Sequence, residues 1–192
     1  MKEIDNVLRI LEQTLYAVKN DNAAPLKELS DQTLHAASTT GDPDNIAVAV
    51  IVYSIGKILS RPDYRSLKGW ESFNRIIQSS LKCSINDLKE NSPEKFRRDF
   101  DFIRKAINKI SGKLKVYIKD VFKKAEITKA SRIHEHGISA EKTAKMLGIT
   151  LFDLQNYTGQ TGISEVTLNQ TVNVKTRIKM LEELFEEWVI KF

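Results

Sequence analysis

Two kinds of side chain in this 192-residue sequence can do chemistry, and both suit a polyanion that carries readable edges. The first is a set of cations: Lys115, Lys119, Lys123, Lys124 and Arg132, followed by Lys142 and Lys145. Ammonium and guanidinium groups at helical spacing can neutralise successive phosphates, which adds affinity without reading sequence. The second is a polar and aromatic set: Thr150, Phe152, Gln155, Asn156 and Gln160. Carboxamides can make paired hydrogen bonds to adenine, and a phenyl ring can touch a thymine methyl.

The cations are concentrated. Residues 1–90 carry 11 basic and 12 acidic side chains, net −1; residues 91–132 carry 13 and 5, net +8; residues 133–192 carry 6 and 8, net −2. All the excess positive charge precedes residue 133, and a block of one sign points to a polyanionic partner rather than to an evenly solvated surface. Two basic helices carry it. From Pro93, the apolar row Phe96, Phe100, Ile103, Ile107, Ile110 and Leu114 lies opposite Lys95, Arg98, Lys105, Lys109 and Lys113. After a break at Ser111-Gly112, a second helix runs from about Lys113 to Glu135. Val116, Val121, Ala125, Thr128 and Ile133 are expected on its inner side, with Lys115, Lys119 and Lys123 on an outer row.

The polar set needs its own frame, and Ser139 to Gly159 supplies one. Ala144 is small where two helices must approach closely, and Gly148 can adopt the left-handed conformation of a tight turn. Leu147 and Ile149 flank the glycine. Thr150 and Asp153 have the spacing of a capping box opening a second helix, on which Leu151, Leu154 and Thr158 are expected to face inward. This pattern resembles the helix-turn-helix superfamily over about twenty residues, departing from it at Thr143, where an apolar residue is usual. The resemblance implies a second helix laid in a major groove, although that helix has no Lys or Arg from Leu151 to Thr158. The stretches LKELSDQTLHAAS, DPDNIAVAVIVYSIGKILSRPDY and KTAKMLGITLFDLQNYTGQTGISEV are also similar to small uncharacterised archaeal proteins with a C-terminal helix-turn-helix. AEKTAKMLGITLFDLQNY is similar to the short regulatory helices of some prokaryotic antitoxins.

Upstream, helical periodicity accounts for most of the chain. Ile4, Leu8, Leu11, Leu15 and Val18 form one stripe; Leu26, Leu29, Thr33, Leu34 and Ala37 form a second after Pro25. Asp42-Pro43 gives a cap and a first helical residue, and the helix that follows is apolar on all sides, which places it in the middle of the fold. Trp70, Phe73, Ile76, Ile77 and Leu81 define a fourth helix after the connector 61–70. Past Gly159 a connector leads to a last helix with the stripe Val174, Ile178, Leu181, Phe185 and Trp188. The expected fold is all-α: an N-terminal helical bundle over 1–110, then a helix-turn-helix domain with a final amphipathic helix over 111–192.

Other chemistry finds little support. Cys83 is the only cysteine, which excludes an internal disulfide and a cysteine-based zinc site and fits a reducing cytoplasm. His134 and His136 point about 200° apart on a helix, and helix capping explains Asp42 and Asp44 better than a cation does, so no metal or other cofactor is expected. No phosphate loop or nucleophile elbow occurs, so an enzyme is not expected either. The start of the chain has no signal-peptide pattern, and the run Ile46–Ile55 is about half a membrane span, so a cytoplasmic protein without a membrane partner is expected. The function expected is a non-enzymatic nucleic-acid-binding protein, either a DNA-binding regulator or an antitoxin-like protein. Duplex DNA is its favoured partner, structured or ribosomal RNA is possible, and a protein partner or homodimer is allowed. The alternative is an adaptor that docks protein through the same two short helices.

Overall fold

A computed structural model describes residues 3–40, 42–109 and 112–160, with the side chains of all but 38–39, 104–109 and 160. The expected C-terminal helix, the inner positions Ile107 and Ile110, and the side chains of Lys105, Lys109 and Gln160 lie outside the described residues.

The described residues are all-α. Among the described residues there are eight α-helices: α1 Ile4–Lys19, α2 Leu26–Thr40, α3 Pro43–Leu59, α4 Trp70–Lys89, α5 Pro93–Lys109, α6 Gly112–Glu135, α7 Ala140–Leu147 and α8 Leu151–Gln160. One 3₁₀ turn, Pro62–Ser66, sits between α3 and α4. None of these helices is long and apolar enough to cross a membrane.

Helix α3 is central because it is apolar on nearly all sides between Asp44 and Lys57. Thirteen of its residues are buried, from Asp44 to Leu59. Asp42 caps it by accepting a hydrogen bond from the Asp44 amide at 2.9 Å, and Pro43 takes the first position, where a missing N–H is harmless. Arg97 on α5 then grips the nearly buried Asp44 carboxylate from two nitrogens at 2.9 and 2.8 Å, fastening the start of α3 to α5. This contact also holds the Arg97 guanidinium above its ordinary pKa, through the hydrogen bond and the charge of Asp44. Against α2 the approach is so close that a Cβ at Gly56 would lie 2.9 Å from the Cβ of Leu26. The Ser30 hydroxyl donates to the Ala49 carbonyl at 2.7 Å, closing the same seam.

The N-terminal stripe sits one row away from its expected centre. Val7, Ile10, Leu11, Thr14, Ala17 and Val18 are the buried residues of α1, while Ile4, Leu8 and Leu15 pack at its margin. Thr14 tolerates burial because its hydroxyl donates to the Ile10 carbonyl at 2.7 Å.

Two apolar clusters share α3 and α6. The larger joins α1, α4 and α5 to Val48, Val52 and Ile55 of α3 and to Leu114, Ile118, Val121 and Phe122 of α6. The smaller joins Ile46, Ala49 and Val50 to Ala125, Ala130 and Ile133, and brings in Ala144, Leu147 and Leu154 of α7 and α8. Both clusters therefore draw residues from either side of position 110.

Candidate nucleic-acid interface

Helix α6 is built to be half exposed and then enclosed. Over its first half only the Leu114, Ile118, Val121 and Phe122 side is buried; towards its end Lys129, Ala130, Ser131 and Ile133 are all buried, because α2 and α3 cover one side and α7 and α8 close over the others. Val116, expected on the inner side, is 65% exposed. Its position explains this: it stands two residues from both Leu114 and Ile118, about 200° away from each, so it turns outward once they enter the core. Thr128 is half-buried; its hydroxyl donates to the Lys124 carbonyl at 2.8 Å and lies 3.4 Å from the Tyr157 hydroxyl.

The outer row is exposed at two of its three positions. Lys119 and Lys123 are exposed and Lys115 is half-buried. The neighbouring cations make short-range pairs: Lys124 with Asp120 at 2.8 Å and Arg132 with Glu135 at 2.9 Å. The exposed Lys124–Asp120 pair is worth only about 0.3–0.5 kcal/mol, so a phosphate can displace that carboxylate, whereas the Glu135 side chain is only 19% exposed.

The two short helices meet at a turn whose local chemistry is legible residue by residue. The Ser139 hydroxyl accepts from the Lys142 amide at 3.3 Å and starts α7. Gly148 ends it at φ 67°, in the left-handed region, with its amide donating to the Ala144 carbonyl. Thr150 then starts α8: its hydroxyl accepts from the Asp153 amide at 3.0 Å and donates to the Asp153 carboxylate at 2.9 Å. The reciprocal half of the expected capping box thus runs through the hydroxyl.

On α8, Leu154 is fully buried and Thr158 nearly so. Leu151, expected inward, is 39% exposed. Contact with α6 and α7 is centred on Leu154, so the first residue of the helix projects past its edge. Phe152 is 70% exposed, and Gln155 and Asn156, three and four residues on, share its face in water.

The Lys123 ammonium lies 3.8 Å from the Asp153 carboxylate. With Thr128 beside Tyr157, the two contacts ascend together along both helices, so α8 runs alongside α6 in the same direction. The lysine row of α6 therefore arrives at the N-terminal end of α8. Lys142 and Lys145 are exposed on α7. Among the described residues no hydrogen bond or ion pair joins them, or Arg132, to the α8 face.

One basic residue of note escaped the sequence reading. Lys129 is 2% exposed, pairs with Asp31 of α2 at 2.7 Å, and sits 4.4 Å from the ring centre of Tyr53 on α3. Burial pushes its pKa below the ordinary lysine range; Asp31 acts in the opposite sense, and Arg132 and Lys27 depress it further. The signal was present, since Lys129 is four residues from both Ala125 and Ile133 and so stands on their row. Tyr117 was also missed: it is 42% exposed and stacks on the buried Tyr64, with ring centres 5.3 Å apart.

Among the described residues, no group of three or more His, Cys, Asp or Glu is placed to hold a metal ion. No family model, curated protein or solved structure matches the chain.

Proposed function

We propose that this chain is a non-enzymatic nucleic-acid-binding protein that favours duplex DNA, acting as a regulator or as an antitoxin-like partner of another protein. In this reading α7 and α8 work as a helix-turn-helix unit, with α8 in the major groove and the α6 lysines on the flanking phosphates. The observation that supports it is the 3.8 Å approach of Lys123 to Asp153, which brings the α6 lysine row to the first turn of α8. Phe152, Gln155 and Asn156 supply an apolar contact and two carboxamides there, the groups that read thymine and adenine. Lys142 and Lys145 add cations on α7.

The test is binding of the full chain to labelled duplex DNA and to structured RNA across a salt series, beside a variant with Lys115, Lys119, Lys123 and Lys124 replaced by Ala. Four lost phosphate contacts flatten the dependence of log affinity on log salt by about 3 to 4. Duplex preference supports the regulator, and RNA preference moves the proposal to a structured-RNA or ribosomal partner. Absence of binding to either at low salt, or an unchanged slope in the variant, overturns it. In that case the exposed pair Leu151 and Phe152, 39% and 70% accessible, favours protein docking through the same helix.

A further inference from the structure

The start of α2 and the second half of α3 enclose an open cavity of about 260 Å³, lined by Ala23, Ala24, Lys27, Tyr53, Gly56 and Lys57. Its charge is one-sided. The Lys57 ammonium lies 5.3 Å from the Tyr53 ring centre, and Lys129 lies 4.4 Å from the same centre. Lys27 is near enough to Lys129 for their charges to repel. Against these three cations stands Asp31, which Lys129 takes at 2.7 Å. The nearby Glu28 carboxylate accepts from the Gln32 amide at 3.3 Å. Lys27 and Lys57 have no carboxylate partner among the described residues.

We propose that this cavity binds a small organic dianion, its charged end between Lys27 and Lys57 and its body against Ala23, Ala24 and Gly56. Two ammonium groups without a carboxylate partner on one concave, partly apolar wall add their fields there, most strongly at low ionic strength. Two negative charges on one small body match that excess. Tyr53 lines the same wall and adds an aromatic contact for the ligand's body. A phosphate monoester and a dicarboxylate share the required chemistry. The site stands on α2 and α3, apart from the lysine row of α6, so it does not depend on the nucleic-acid reading.

Titration calorimetry of the full chain at low ionic strength tests it, with phenyl phosphate and succinate as probes and phenol as the uncharged control. One saturable site for at least one dianion, and none for phenol, is expected; the preferred probe identifies the source of the charge. Replacing both lysines (Lys27→Gln with Lys57→Gln) weakens that binding by about tenfold for each lost charge-assisted contact. Lys82→Gln, an exposed lysine on α4, leaves it unchanged. Both cavity lysines are exposed, so the double variant keeps its helical circular dichroism and melting temperature. No saturable binding of either dianion, equal binding of phenol, wild-type affinity in the double variant, or an equal loss in Lys82→Gln overturns the proposal.

Discussion

Removing either member of the Lys129–Asp31 pair breaks the same 2.7 Å contact, yet the two substitutions are expected to differ sharply. Lys129 is 2% exposed and Asp31 50% exposed at the side chain. Asp31→Asn leaves an ammonium group inside the protein with only a neutral amide and the Tyr53 ring for company. Stranding a buried charge costs about 3 to 5 kcal/mol, and the retained ring contact puts this case near 3. Lys129→Met removes the buried charge, fills much of its volume, and lets the half-exposed Asp31 return to water. Its cost is within about 1 kcal/mol of zero, of either sign. Urea unfolding followed by helical circular dichroism at neutral pH measures the difference, about 2 kcal/mol in favour of Lys129→Met. The pH dependence gives an independent check. Burial holds the folded-state pKa of Lys129 below that of the unfolded chain. Between the two values the unfolded chain binds more protons, so stability rises with pH there and is level below the window. Wild type therefore gains on Lys129→Met as pH climbs towards about 10.4, the ordinary lysine value. The reasoning fails if Asp31→Asn is as stable as Lys129→Met, or if wild type gains nothing on the alkaline side.

Two glycines separate backbone strain from crowding. At Gly148, φ is 67° and an added Cβ would meet nothing within 4 Å, so Gly148→Ala costs about 1 kcal/mol in unfolding experiments and leaves neighbouring packing unchanged. At Gly56 the added Cβ would lie 2.9 Å from the Cβ of Leu26, too near the backbone to swing aside; Gly56→Ala costs about 1–3 kcal/mol, and Leu26→Ala, which keeps that Cβ, does not recover it. Thr143 is fully buried and its hydroxyl has no hydrogen-bond partner among the described residues. Thr143→Val keeps the shape, removes the orphaned group, and is expected to raise stability by about 1 kcal/mol in the same assay, whereas a loss would show that the hydroxyl is satisfied.

Much of the helical framework could be read from local pattern, because helix starts and stops are written within a few residues. Asp42-Pro43, Gly112 and Gly148 each mark a boundary by a capping oxygen, a fixed φ or a left-handed turn, and none needs knowledge of a distant partner. The exposed face Phe152, Gln155 and Asn156 follows from its spacing in the same way. Helix α6 was harder because its buried face changes along its length, so one projection for the whole helix misplaced Val116 and left Lys129 unread. The fasteners were invisible for a different reason. Asp44 and Arg97 are 53 residues apart, and Asp31 and Lys129 are 98 apart, so no local pattern could pair them.

That second class of contact controls the geometry of the candidate interface. Helix α6 has one cluster at its start and another at its end, and neither alone fixes the helix's rotation about its own axis. Lys129, clamped between Asp31 and Tyr53, adds a directional contact near the junction. Four residues are close to one turn, so Lys115, Lys119 and Lys123 form a continuous row, and that row's heading follows from the rotation that Lys129 pins. The proposed division of labour then has a structural basis. Charge lies on α6, whose orientation the N-terminal helices set through α2 and α3; the groups suited to reading bases lie on α8, set by Leu154, Thr158 and the turn at Gly148. Under the proposed reading this division separates phosphate attraction from base recognition, and the absence of Lys and Arg from Leu151 to Thr158 weighs against it by leaving base contact to the carboxamides and the phenyl ring alone, without a cation-to-guanine pair.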